Sequence, residues 1–165
     1  MLNADPDWFP GVAGSISYAA HTAAATVLGH PENTVMALPS KVPTLIMGGN
    51  QDGVIANSSH RYANAASSDC MVRLQQTFSE GISSSRKDSY LVEIDGANHF
   101  SMAWPEDATT GRPFLDFPTK QPDEQIRDSI ADLALAFINS HINGQNREHI
   151  DAVLSGSLVA SYSCV

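Results

Sequence analysis

The run Val42-Pro43-Thr44-Leu45-Ile46-Met47-Gly48-Gly49 constrains this chain more than any other segment. It is continuously apolar, opens next to a proline and closes on two glycines. A strand with one wet face would alternate apolar and polar residues, so this pattern indicates a strand buried on both faces. Proline is tolerated at the start of such a strand but not in its middle. Sheets covered on both faces are built from parallel strands joined by helical crossovers, so the expected class is α/β.

The rest of the chain fits that class. Residues 89–94 read as another strand, stopped by Asp95-Gly96, and residues 14–19 as a shorter one after the turn-like Trp8-Phe9-Pro10-Gly11. Residues 20–30 are rich in alanine, with a weak helical preference interrupted by Gly29-His30-Pro31. Helices are expected over residues 58–66 and 71–79, the latter with apolar Met71, Val72, Leu74 and Phe78, before Gly81 and Ser83-Ser84-Ser85 break into a loop. Pro105, Pro113, Pro118 and Pro122 keep residues 104–122 in loops.

The clearest helix starts at Pro122-Asp123-Glu124. Acidic residues in its first turn suit the helix dipole, Ile126, Ile130, Leu133 and Phe137 recur at helical spacing, and Gly144 lies past its end. The order of strands and helices implies parallel pairing with right-handed crossovers. Residues 1–145 are expected to form the main domain, and residues 146–165 a short helix and an extended tail.

Composition narrows the function classes. With 165 residues, 42% of them apolar, the chain can bury a core as one domain. Its net charge of -9 argues against the electrostatic footprint of a nucleic-acid or anionic-membrane partner. No apolar run is long enough for a membrane span, and the amino terminus shows no basic region followed by an apolar one, so no export signal is visible. Localisation stays open, because loss of a preceding part would remove a signal with it. Cys70 and Cys164 match neither a zinc spacing nor a redox motif; a single bridge and two free thiols are both open. His30, His60, His141 and His149 show no paired spacing, and no metal site is expected.

Two loops leave strand ends with chemistry in them. Gly48-Gly49-Asn50-Gln51-Asp52-Gly53 puts a carboxylate just beyond the buried strand, and Asp95-Gly96-Ala97-Asn98-His99-Phe100 puts an imidazole beyond the next. Functional groups of open α/β sheets gather at the carboxyl ends of strands. A carboxylate on one imidazole nitrogen fixes the tautomer and stabilises the imidazolium that forms when the other nitrogen takes a proton. The 47 residues from Asp52 to His99 (99 - 52) leave room for one crossover and the return strand. Each residue also has a plainer role open to it, Asp52 as a turn aspartate and His99 as a solvated loop histidine. Asp95 is read as a turn residue, and Asn98 as a residue that orients the histidine loop.

Residues 42–52 followed by 90–100 resemble the acid-strand and histidine-loop motifs of α/β-hydrolases. More narrowly, they resemble the bacterial cutinase and polyester-hydrolase group, with chlorophyllase-like and platelet-activating-factor-acetylhydrolase-like esterases close to it. The resemblance spans residues 8–142 and implies a partial α/β-hydrolase fold. It also implies a serine-type carboxylic ester hydrolase acting on a small-molecule or polymeric ester without a cofactor. Asp52 would be the triad acid and His99 the base, with His21, Phe100 and Trp104 as substrate contacts; a polar loop role for His21 and core packing for one of the aromatics are the alternatives.

The family's chain order of serine, acid and histidine places the nucleophile before Asp52, in a G-x-S-x-G elbow. No such elbow occurs: Gly14-Ser15-Ile16-Ser17 lacks the second glycine, Gly81-Ile82-Ser83 follows the acid, and Gly156-Ser157 follows the histidine. The resemblance therefore points to the C-terminal half of a hydrolase, with an exposed sheet edge covered by an N-terminal half or a homodimer partner. The alternative is a catalytically inactive fragment serving as a binding or assembly module.

Overall fold

The computed structural model describes residues 11–38, 42–63, 67–82, 87–105, 113–144 and 148–165. The turn expected at residues 8–10, the loops at 83–85 and 106–112, and the domain boundary at 145–146 lie outside them.

Among the described residues, four strands form one sheet in the order β1-β2-β3-β4. Strands β1 (Ser15–Tyr18), β2 (Thr44–Gly49) and β3 (Tyr90–Ile94) are parallel, with Ser15 opposite Thr44 and Leu45 opposite Tyr90. All six residues of β2 are buried, as its unbroken apolar sequence requires. The glycines that close it belong to the strand. A side chain on Gly48 would press on Met71, and one on Gly49 would overlap the Ala97 carbonyl, so the histidine loop sits directly against the end of β2.

Strand alternation divides the core between the two faces. Leu45, Met47, Tyr90, Val92 and Ile94 pack against helix α3 (Asp123–Phe137) and helix α4 (Glu148–Leu154). Ile46 and Leu91 face Ile55 of α1 (Gly53–Ser58), Met71, Leu74 of α2 (Val72–Gln76), and Phe78 and Ile82 beyond it. The stripe read from sequence on α3 is the buried one: Ile126, Ile130, Leu133, Ala136 and Phe137. Ile126, Ile130, Leu133 and Phe137 each contribute about 1.5–3 kcal/mol relative to exposure, and Ala136 less. The helix continues through a wider turn to Ile142.

Three expectations change. The extended tail is a strand, β4 (Val159–Cys164), and it runs antiparallel to β3, with Tyr90 opposite Cys164. Pairing is thus not parallel throughout, and among the described residues β1 is the parallel edge strand. The chain passes through α3 and α4 before it returns along β3, and the antiparallel pairing lets the last residues satisfy β3 backbone groups. The helix expected over 58–66 begins five residues earlier, at Gly53, because Asp52 caps it. A single helical turn (Ser59–Arg61) follows, and residues 64–66 are outside the described set. The alanine-rich stretch yields only one turn, Thr26–Leu28, ended by Gly29 in a left-handed conformation. Alanine propensity without an apolar stripe to bury does not sustain a helix. The two cysteines form no disulfide; Cys70 is buried and Cys164 is exposed on the edge strand. No helix of the described residues is long and apolar enough to cross a membrane.

Candidate functional site

Asp52 and His99 meet at the carboxyl ends of β2 and β3. Asp52 Oδ2 lies 2.9 Å from His99 Nδ1, and the Asp52 side chain is 1% exposed against 26% for His99. Asp52 Oδ1 is also used, accepting from the Ile55 amide at 2.8 Å as the N-cap of α1. With both oxygens engaged, the carboxylate has one orientation, and Nδ1 carries the shared hydrogen. Nε2 is the ring nitrogen not bonded to Asp52, and His99 lines a cavity.

The two loops are lashed together by backbone. The Gln51 amide donates to Ala97 O at 2.9 Å and the Asn50 amide to Ile94 O at 3.2 Å. Asn50 adds its side chain, donating from Nδ2 to Asp95 Oδ1 at 3.0 Å and accepting from the Gly96 amide at 2.8 Å. Asp95 accepts a further bond from Gln121 Nε2. These bonds from Asn50 and Gln121 hold its carboxyl below the usual range, and its geometry is that of a turn residue tying loops together. Asn98 does orient its loop: it donates to Phe117 O, exchanges bonds with Ser101, and its carbonyl accepts from the Tyr18 hydroxyl at 2.5 Å. Burial pushes the Tyr18 hydroxyl pKa well up, so it stays a neutral donor at the end of β1.

Electrostatics set the two histidines apart. Burial alone would lower the His99 pKa, but the hydrogen bond and charge of Asp52 and the charge of Asp116 more than offset it, and the net shift is upward. His21 goes the other way, to about 4, through burial first and the positive charge of Arg73 second. Its Nδ1 accepts from the Ala23 amide at 3.2 Å, which places the hydrogen of the neutral ring on Nε2. The ring stands edge-on to Tyr62 at 4.7 Å, and Arg73 lies over the same Tyr62 at 5.4 Å. Arg73 itself is buried, held by Asn33, Gln76 and the Ser59 carbonyl.

His21 and His99 line one cavity of about 360 Å³, with Ala19, Val54, Tyr62 and Leu115. Phe100 and Trp104 line a different one, of about 270 Å³, with Asn98, Ser101, Thr119 and Arg127. Neither aromatic joins a core cluster. Phe100 packs edge-on to His99 at 5.1 Å, whereas Trp104 is 73% exposed with the Arg127 guanidinium 4.6 Å from its ring centre. The structure thus brings Asp52, His99 and His21 together, sets Phe100 at the border, and leaves Trp104 apart. Among the described residues, no group of three or more His, Cys, Asp or Glu is arranged to hold a metal ion.

Tyr18, Asn50 and Asp116 belong to the site without being singled out by the sequence motifs. Asn50 had a signal, since Asn in a Gly-rich strand-to-helix turn commonly bonds nearby backbone. Asp116 had none, because the amides it joins, Gly53 and Phe100, are distant in sequence. No protein-family model matches the chain, and no curated protein matches it.

Proposed function

We propose that this chain supplies the acid and the base of a serine-type carboxylic ester hydrolase of the α/β-hydrolase kind, with the nucleophile supplied by another segment. The observation that carries this reading is the buried Asp52 carboxylate 2.9 Å from His99 Nδ1 at adjacent strand ends, beside a cavity. His99 Nε2 takes the proton of a serine hydroxyl as its oxygen attacks the ester carbonyl. The same nitrogen returns that proton to the departing alcohol, leaving an acyl-enzyme. Water repeats the cycle and frees the acid. Asp52 holds the tautomer and stabilises the imidazolium in both halves.

The test is hydrolysis of a short-chain p-nitrophenyl ester, with fluorophosphonate labelling, by the chain expressed together with the reading frame that precedes it in its gene. Turnover and a labelled serine upstream of Asp52, both lost in His99→Ala, are expected. Turnover that survives His99→Ala would refute the assignment. The absence of a G-x-S-x-G elbow from the sequence favours a second reading, a non-catalytic binding or assembly module. Stable folding with no turnover and no labelling in that joined protein would select it.

A further inference from the structure

A strap of three residues, Leu115, Asp116 and Phe117, crosses from the start of α1 to the histidine loop. Asp116 Oδ1 accepts from the Gly53 amide at 2.8 Å and from the adjacent Phe117 amide at 3.1 Å. Its Oδ2 accepts from the Phe100 amide at 3.3 Å, an N–H shared with Asn98 Oδ1 at 3.1 Å. Gly53 follows Asp52, and Phe100 follows His99. One carboxylate therefore grips the backbone one residue beyond each member of the pair.

Other contacts fix the strap itself. Asn57 Nδ2 donates to Leu115 O at 2.7 Å and Asn98 Nδ2 to Phe117 O at 2.8 Å. The strap is so close to Gly53 that a side chain there would overlap Leu115 O and stand 2.6 Å from Phe117 N. Loops at strand ends are the mobile part of an α/β scaffold, and a reacting pair split between two of them needs its separation held. Hydrogen bonds from amides to a carboxylate are the strong kind, and these join the two loops through a third segment.

We infer that Asp116 is a positioning residue that sets the Asp52–His99 separation by clamping the two loops to one carboxylate. The inference rests on reading Asp52 and His99 as acid and base. Its charge also acts on His99 from the strap, as that of Asp52 does from the loop after β2; both favour the imidazolium. From the loop after β1, His21 is coupled to His99 but held neutral by burial and by Arg73 of α2, and the Tyr18 phenol is neutral as well. Burial raises the Asp116 pKa while its amide bonds pull it back, which fits a carboxylate partly withdrawn from water and held by backbone.

The test is proton NMR of the His99 ring in the purified chain, in Asp116→Ala and in Asp116→Asn. In the wild type, the Nδ1 hydrogen shared with Asp52 gives a downfield, slowly exchanging resonance. Asp116→Ala is expected to make that hydrogen exchange about tenfold faster or lose its resonance, as the loss of a charge-assisted bond implies, and to lower the His99 titration midpoint. Exchange and midpoint both matching the wild type would overturn the inference. If Asp116→Ala does not fold, Asp116→Asn decides: its amide nitrogen cannot accept, so one loop loses its anchor and exchange must still accelerate severalfold. An unchanged rate there would overturn the clamp. These readouts need no turnover, so an inactive joined protein would refute the proposed function without touching this result, and unaltered exchange alongside an active joined protein would do the reverse.

Discussion

Asp52→Asn and Asp52→Ala separate the two bonds that the Asp52 carboxylate makes. Asparagine keeps an oxygen for the Ile55 amide, since it caps helices as well as aspartate does, but loses the charge beside His99; alanine loses both. The cap bond is worth about 1 kcal/mol. The bond to His99 joins a fully buried oxygen to a mostly buried ring, and hydrogen bonds to charged groups contribute about 1.5–3 kcal/mol. Asp52→Asn should therefore cost about 1.5–3 kcal/mol, and Asp52→Ala about 1 kcal/mol more. Urea denaturation of both variants, alone and combined with His99→Ala, gives the two terms and their coupling. Equal stability of the two variants would show that the cap contributes nothing. Coupling to His99 below about 0.5 kcal/mol would show that the pair has no energetic link. Under the proposed function, Asp52→Asn in the chain joined to its nucleophile segment should also cut turnover roughly 10⁴-fold, the size of the loss on an Asp-to-Asn change in a serine protease triad.

Two further expectations concern the core and the pH profile. Leu133 is 1% exposed and Leu135, two residues along α3, is 55% exposed; Leu133→Ala should cost about 2–5 kcal/mol in chemical denaturation, and Leu135→Ala less than about 0.5 kcal/mol. The histidines give stability opposite pH slopes. The unfolded chain protonates His21 near its ordinary 6.5, but the fold resists until about 4, so its contribution is complete above 6.5 and lost as pH falls toward 4. His99, with its folded pKa raised, contributes fully below the ordinary imidazole range and loses that contribution as pH rises through the folded value. His21→Gln should flatten the acid arm of a stability–pH curve and His99→Gln the alkaline arm. Superimposable curves for wild type and either variant would contradict that assignment.

The sequence by itself determined the elements whose pattern is local. The unbroken apolar run of β2, the helical stripe from Ile126 to Phe137 and the acidic first turn of α3 report burial directly, because burial on two faces or along one stripe leaves no freedom in residue type. Asp52 and His99 were legible for a related reason: each lies a few residues past a strand whose end the glycines mark, and strand ends share one side of a parallel sheet.

Only the tertiary structure decided what depends on contacts between segments far apart in the chain. The tail at Val159–Cys164 alternates Ala160, Tyr162 and Cys164 with Ser161 and Ser163, but it is short and mostly exposed, and it becomes a strand because β3 offers an edge to pair with. Gly49 looks like a strand terminator, yet its lack of a side chain serves the approach of Ala97 from 48 residues away (97 - 49). Asp116 sits in a proline-rich loop with no periodicity, and its role comes from the Gly53 and Phe100 amides, which every residue type but proline can offer. Backbone donors leave no mark in residue identity, so a site anchored through them is written in the fold and not in the order of side chains.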